Sequence, residues 1–342
     1  MYATTNSAQI LTFPIDRTTG SLGAPTSIAG PANSGGLLTL APANVAYQVY
    51  LYVSDPQDGA IHVYPVNMAD GTLAPAHMGP SLGNGAGTPG EMAAFGNIIY
   101  VASSTGSIFA FTENADGSLT SVAGSPFAAG AGASHLAAVS FGTPNTSFLY
   151  TSNTNDPNGS ISAFSITTSG GLVPVAGSPF PTLSGAGPGG FYSQGKSLYV
   201  ALKNANAVAA FAIANDGSLT PIAGSPFPAG RGTFSLNRSG GFLLATNNLD
   251  GTISSYSIDS TGILTPVAGS PFPGTVTSGD TTSDLNGKLF VPNATSNSID
   301  VFLTDINGAI SPMVGSPFQA GASPVALTTA GFPAVDPPGP AK

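Results

Sequence analysis

Four residues of this chain carry side chains that could exchange protons or hold an anion. Glu91, His135, Arg231 and Asp280 each stand in a short segment of otherwise small and mostly uncharged residues. Carboxyl and imidazole groups are common general acids and bases, and a guanidinium group binds carboxylate or phosphate. Charged residues make up only 7% of the chain, so we take these four as a candidate catalytic set.

A second group of residues could bind a metal ion. Asn153, Asn155 and Asp156 concentrate oxygen ligands in one loop, and calcium is the ion that prefers such ligands. Asn, Asp, Pro and Gly are also the residues that a long hairpin turn requires. A related set recurs at one repeat position and could converge on a central cation or simply cap turns: Asp55, Asn153, Asn247 and Asn293. No cofactor is required by the sequence.

The elements that would position these residues follow from an internal repeat. The phrase Val-Ala-Gly-Ser-Pro-Phe, or a close variant of it, ends at Phe127, Phe180, Phe227, Phe272 and Phe318. Two degenerate copies precede these, beginning at Gly20 and Asp70. Six intervals of about 48 residues separate Gly20 from Gly308, near the spacing of four-stranded propeller blades. The repeat therefore predicts seven blades.

Each repeat also contains an alternating strand in which an aromatic residue follows Ile or Val by three positions. Another apolar strand precedes it, and the two are separated by an Asn/Ser/Gly turn, which predicts a hairpin. Several repeats place a proline in their last strand: Pro75, Pro174, Pro221, Pro266 and Pro312. Proline cannot donate a ladder hydrogen bond, so this strand is predicted to be the outer edge of its blade.

The two ends of the chain complete the ring. Only one strand, within residues 1–5, precedes the first aromatic strand, so the first blade lacks its innermost member. Residues 323–330 read as that missing strand. We therefore predict an all-β fold, a seven-bladed β-propeller of four-stranded antiparallel blades closed by pairing residues 323–330 with 1–5. Residues 1–330 would form one domain, and the Pro-rich tail 331–342 would be disordered.

This pattern resembles the bacterial seven-bladed propellers of the lactonase-like family, which includes 6-phosphogluconolactonases, carboxy-muconate cyclases and uncharacterised exported proteins. A representative segment is Leu-Thr-Pro-Ile-Ala-Gly-Ser-Pro-Phe at residues 219–227, and the resemblance extends to about residue 330. It implies a lactone hydrolase or a cyclase, with His135 as acid and base, Glu91 assisting it and Arg231 holding the substrate anion. With three His and few Arg, the chain is a poor match for a phosphorylated substrate.

Three functions remain open at this point. The first is the lactonase-type enzyme, acting on a small lactone or sugar acid. The second is a non-catalytic exported propeller that binds a protein or glycan through its loops, and the third is a calcium-dependent hydrolase. Motifs that build blades do not choose between them.

Composition narrows the partners and the compartment. A net charge of −9 with seven Lys plus Arg argues against nucleic acid, because binding requires a row of cations. No apolar run reaches the roughly 18 residues of a membrane span. The chain has no Cys and no segment typical of a signal peptide. Its low charge and Ser/Thr/Asn-rich surface favour an exported protein over a cytoplasmic one, and we expect a monomer.

Overall fold

Alternation of apolar and small polar residues produces β-strands throughout the chain. The structure is a computed structural model that describes residues 1–16, 18–34, 36–40, 48–83, 85–142, 146–275, 279–283 and 287–329. Every regular element in these ranges is a strand. Within the described residues there is no helix that is long and apolar enough to cross a membrane. The expected tail 331–342 lies outside the described residues.

The strands form seven antiparallel sheets, which are the predicted blades. Blade one consists of β1 (Tyr2–Thr5), β2 (Gln9–Thr12), β3 (Thr26–Ala29) and the last strand of the chain, β33 (Pro324–Thr328). Blade two consists of β4 (Leu37–Leu40), β5 (Val49–Ser54), β6 (Ala60–Val66) and β7 (His77–Ser81). Blade three consists of β8 (Pro89–Phe95), β9 (Ile98–Ser103), β10 (Ser107–Glu113), β11 (Leu119–Ser121) and β12 (Phe127–Ala128).

The remaining four blades repeat the plan of blade three. Blade four consists of β13 (Ala133–Phe141), β14 (Thr146–Asn153), β15 (Ser160–Ile166), β16 (Leu172–Pro174) and β17 (Phe180–Pro181). Blade five consists of β18 (Pro188–Gln194), β19 (Ser197–Leu202), β20 (Ala207–Ile213), β21 (Leu219–Pro221) and β22 (Phe227–Pro228). Blade six consists of β23 (Thr233–Ser239), β24 (Phe242–Asn247), β25 (Thr252–Ile258), β26 (Leu264–Pro266) and β27 (Phe272–Pro273). Blade seven consists of β28 (Thr282–Ser283), β29 (Lys288–Asn293), β30 (Ser298–Thr304), β31 (Ile310–Pro312) and β32 (Phe318–Gln319).

Closure of the ring by its first and last strands is confirmed, and four residues of β1 pair with four residues of β33. In blade one the strand order is β3, β2, β1, β33, so the last strand of the chain is the innermost strand of the first blade. Tyr2 pairs with Thr328, and Thr5 pairs with Pro324 across a bulge. The predicted prolines of blades four to seven lie on the outermost strand, as the missing N–H requires.

The outer strand is split in two in blades three to seven, which the sequence did not predict. In blade three, β11 and β12 both pair with β10, and the turn between them faces Ala110. The Ser125 hydroxyl accepts the Ala110 N–H at 2.9 Å, and Ala110 O accepts the Val122 N–H. The serine of the Gly-Ser-Pro-Phe phrase therefore satisfies a donor that the interrupted ladder would leave unpaired.

Neighbouring blades are joined by buried tyrosine hydroxyls. Tyr150 in blade four donates to Gly217 O in blade five at 3.0 Å, and Tyr199 donates to Gly262 O in blade six at 3.0 Å. Gly217 has a φ of 85°, a conformation that L side chains rarely adopt, and a Cβ there would meet Phe148. The Asp-Gly turn of the repeat thus builds the hairpin and also accepts the hydrogen bond from the preceding blade.

One of these junctions contains a buried carboxyl group. Glu113 ends β10 at the register position that Ile166, Ile213 and Ile258 occupy in later blades. The Tyr52 hydroxyl lies 2.6 Å from Glu113 Oε1, whereas Glu113 Oε2 is buried with no hydrogen-bond partner among the described residues. Burial raises the pKa of Glu113, against the lowering effect of the Tyr52 hydrogen bond. The charged form of Glu113 therefore destabilises the fold.

Replacing Glu113 with Ile, the residue of blades four to six, is expected to stabilise the protein by about 1–3 kcal/mol at pH 8. Because the folded pKa lies above the unfolded one, the native protein loses stability as pH rises through that interval, so the gain should be smaller at pH 5. Urea unfolding at both pH values measures the difference. Glu113→Gln is the control that removes the charge but keeps a polar group. Equal gains at both pH values would contradict this explanation.

Candidate functional site

Bulges near the beginnings of the innermost strands open a cavity in the ring. The register shifts in β8, β13, β18 and β23, in each case within the first few residues of the strand. A bulge leaves a residue outside the regular pairing and changes the direction of its side chain. Glu91, His135 and Phe234 are residues of these bulges, and all three line a cavity of about 390 Å³.

His135 is the central side chain of the cavity wall. It is buried, and its ring packs edge-on against Phe234 with 5.6 Å between centroids. The Ser152 hydroxyl accepts the His135 backbone N–H at 3.2 Å and lies 3.4 Å from Nδ1. Nε2 lies on the other side, 3.7 Å from Asp280 Oδ1. Ser152 therefore holds one edge of the imidazole, and the other edge faces a carboxylate.

Two carboxyl groups share this cavity, and their positions change their pKa values. Burial raises the pKa of Glu91, the negative charge of Asp280 raises it further, and the hydrogen bond from the Leu136 N–H at 2.9 Å lowers it. Burial raises the pKa of Asp280 too, whereas His135 lowers it. The imidazole of His135 thus favours the charged form of Asp280, whereas the charge of Asp280 favours the protonated form of Glu91.

A cation and an aromatic ring complete the wall. Lys203 follows β19, and its Nζ lies 5.7 Å from the centroid of the Phe234 ring. Asn204 is the next residue along the chain, Thr154 follows β14 in blade four, and both also line the cavity. The cavity thus combines a proton donor, a proton acceptor and a positive charge, drawn from blades three to seven.

The structure corrects one member of the predicted set. Glu91, His135 and Asp280 come together, but Arg231 does not line the cavity. Arg231 is exposed on the loop before β23, where its backbone N–H donates to Asp250 Oδ2 at 2.7 Å. It sits outside the bulge that turns Phe234 inward. Lys203 supplies the positive charge in this cavity instead.

The residues predicted to bind calcium lie at the end of β14 and in the β14–β15 turn, and none of them lines the cavity. The Asn153 amide donates to Ser160 and Ser162 at 2.8 and 3.0 Å, and the Asp156 carboxylate accepts from the Ser160 hydroxyl at 2.5 Å. Asn155 belongs to the same turn. Asn247 and Asn293 likewise donate to nearby hydroxyl groups. These contacts are those of turn capping, and a role in calcium binding stays a prediction.

Sequence reasoning missed Lys203 and Phe234. Lys203 occupies the first position after the second strand of its blade, where blades three, four and six have Ser104, Thr154 and Asn248. A lone cation at a repeat position was a usable indication. Nothing in the sequence indicated Phe234, because only the bulge in β23 brings its ring beside His135.

Comparison with known proteins finds a family that part of this chain resembles. Residues 190–277, which include most of blades five and six, match the family described as "Lactonase, 7-bladed beta-propeller". This match confirms the resemblance to lactonase-like propellers. No curated protein matches the chain.

Solved structures share the whole fold of this propeller. A protein of Bacteroides fragilis provisionally named 6-phosphogluconolactonase is 21% identical, with a TM-score of 0.77 over 95% of this chain and 96% of that chain. A protein of Bacteroides uniformis with the same provisional name is 20% identical, with a TM-score of 0.78 over 95% and 97%. The periplasmic gluconolactonase of Pseudomonas aeruginosa is 19% identical, with a TM-score of 0.75 over 97% and 99%. At these identities the similarity concerns the fold.

Proposed function

We propose that this protein hydrolyses the lactone of a small hydroxy acid or sugar acid in the cavity described above. The observation that carries the proposal is the convergence of Glu91, His135 and Asp280, brought from three blades into one cavity. Groups whose environments separate their pKa values are typical of general acid and general base pairs. The names of the structural neighbours point to the same substrate class.

The proposal gives one role to each group. Asp280, with His135 beside it, takes a proton from water as the water oxygen attacks the acyl carbon. Glu91, which keeps its proton, donates it to the ring oxygen as the acyl–oxygen bond breaks. The products are a carboxylic acid and a free hydroxyl group, so one water is consumed and no other reactant is required. The proton held by the Asp280–His135 pair then returns to Glu91 through solvent.

Lys203 gives the cavity a preference for an anionic substrate. Its ammonium group can bind a carboxylate on the substrate. A cavity of about 390 Å³ suits a molecule the size of a sugar lactone. Export of the protein, as the composition suggests, would place this chemistry outside the cytoplasm.

The proposal is tested by a screen of neutral and anionic lactones with the full-length protein, with and without a chelator. Turnover that survives chelation supports the mechanism above. Turnover lost on chelation would favour the calcium-dependent hydrolase instead. If no lactone is hydrolysed while a glycan or protein partner is retained, the non-catalytic alternative replaces the enzyme.

Lys203→Ala is expected to raise KM for an anionic lactone about tenfold, with kcat changed little, because one charge-assisted contact is lost. For a neutral lactone KM should change little. Lys196→Ala is the matched control, since Lys196 binds Asn215 on the surface, away from the cavity. Steady-state kinetics on the two substrates measures the contrast. An equal increase in KM for neutral and anionic lactones would show that Lys203 does not bind the substrate's negative charge.

A further inference from the structure

We propose that the β5–β6 hairpin of blade two is a binding site for a divalent transition-metal ion such as Zn²⁺, held by Asp55, Asp58 and His62. His62 Nε2 lies 3.4 Å from Asp55 Oδ2 and 2.9 Å from Asp58 Oδ2. The three candidate ligand atoms all lie within 4.8 Å of one another. Two ligands bound to one ion at about 2.1 Å are about 3.0–3.4 Å apart, so the spacing fits a shared ion.

The hairpin holds the two carboxylates in place while leaving one oxygen of each toward the imidazole. Asp55 Oδ1 accepts the Gln57 N–H at 2.7 Å, and Asp58 Oδ1 accepts the Ala60 N–H at 2.8 Å. In both residues Oδ2 is the atom nearest to His62. Such backbone contacts orient ligands before the ion arrives, as outer hydrogen bonds do in metal sites.

The corresponding hairpin of blade six shows which side-chain contacts such a turn makes when it has no metal-binding residues. In blade six, Asn247, Asp250 and Ser254 stand at the positions of Asp55, Asp58 and His62. The Asn247 amide donates to Ser254 at 3.0 Å, and Asp250 is occupied by the Thr252 hydroxyl at 2.7 Å.

Blade two keeps the aspartate of that network and replaces the other three residues. Asp55 is in the place of the Asn247 amide, and His62 is in the place of the Ser254 hydroxyl. Two side chains that bind metal poorly are thus replaced by two that bind it well. Ala60 stands for Thr252, which leaves Asp58 without the hydroxyl that its counterpart binds. A turn needs none of these changes, because the sister hairpin folds without them, whereas the carboxylate of Asp55 and the imidazole of His62 are ligands that a metal ion can use.

The donor set selects the class of ion. One imidazole and two carboxylates suit zinc or another first-row divalent ion, whereas calcium takes oxygen ligands. Asp58 is 41% exposed and Asp55 and His62 are 13% and 19% exposed, so water can fill further coordination positions. The site is separate from the cavity, whose lining comes from blades three to seven, and it does not depend on the proposed hydrolase activity.

The test is calorimetric titration of the metal-free, full-length protein with Zn²⁺. We expect saturable binding of one ion at this hairpin and a higher unfolding temperature with Zn²⁺ present. The double variant Asp55→Asn/His62→Ser, which rebuilds the sister hairpin, should keep the metal-free unfolding temperature and lose at least tenfold in affinity. Asp58→Asn, a substitution at the most exposed ligand, should also weaken Zn²⁺ binding at least tenfold. It replaces the double variant in the experiment if the double variant does not fold.

Two histidine variants locate the binding. His77→Ala, on the exposed outer strand of blade two, and His135→Ala, in the cavity, should both bind Zn²⁺ as the native protein does. The proposal is overturned if the native protein shows no saturable binding at micromolar Zn²⁺. It is equally overturned if the hairpin variants bind like the native protein, or if His135→Ala removes the binding.

Discussion

Deleting residues 323–342 is expected to destabilise the whole ring by about 4–6 kcal/mol, which would abolish or nearly abolish cooperative folding. The deletion removes β33, so β1 loses the ladder from Tyr2 to Thr5 and becomes an unpaired inner strand. It also removes the buried side chains of Ala326 and Leu327. An opened ring exposes the inner face of blade one to water, and the loss is not confined to that blade.

Urea or thermal unfolding, followed by circular dichroism, measures this effect. Deleting only residues 333–342 is the control, because it removes no described contact, and we expect it to be nearly neutral. Equal stability of the two truncated proteins would contradict closure by β33. The pair of deletions therefore separates the closing strand from the segment that follows it.

His135→Ala is expected to lower kcat for lactone hydrolysis by about 10²–10⁴, the range typical of a lost general acid or base. His135 faces Asp280 at 3.7 Å and is held on its other side by Ser152. Without the imidazole, Asp280 loses the group that lowers its pKa. Asp280→Asn should lower kcat by a factor in the same range, because both substitutions disable the proton acceptor formed by Asp280 and His135.

The pH profile separates the acid from the base. Hydrolysis requires Glu91 with its proton and Asp280 without its proton. The rate should therefore fall as pH rises through the raised pKa of Glu91, and also as pH falls through that of Asp280. Glu91→Gln should lower kcat and remove the decline at high pH, because the amide does not titrate.

His77→Ala is the control for these kinetics, since it removes an exposed imidazole of an outer strand. The roles assigned above are wrong if His135→Ala retains kcat within threefold while folding normally. They are also wrong if Glu91→Gln keeps the native decline at high pH. Either result would remove the residue concerned from the mechanism without changing the fold.

The repeat allowed most of the architecture to be predicted. Blade number, the hairpin of the aromatic strand, the edge position of the prolines in blades four to seven and closure at the chain ends all follow from local patterns and from counting. Pro75 of blade two lies just before β7 and not in it. The division of the outer strand into β11 and β12 did not, because the serine that makes it possible bonds Ala110 fifteen residues earlier. Such a contact is defined by the paired sheet and not by the adjacent sequence.

The site was predictable only in part. Glu91, His135 and Asp280 break the repeat, and that alone marked them. Arg231 broke it equally well, yet it lies on an exposed loop, whereas Lys203 faces the cavity from the end of β19. The position of a residue along one strand does not show on which side of a bulge it lies. The bulges themselves depend on pairing with the neighbouring strand.

The sequence by itself determined a closed ring of seven blades, because strand period, turn residues and proline positions are local properties that repeat along the chain. Tertiary structure decided which of its few charged residues meet. The cavity groups come from different blades, and their pKa values depend on burial and on each other, so neither their distances nor their protonation follows from order along the chain.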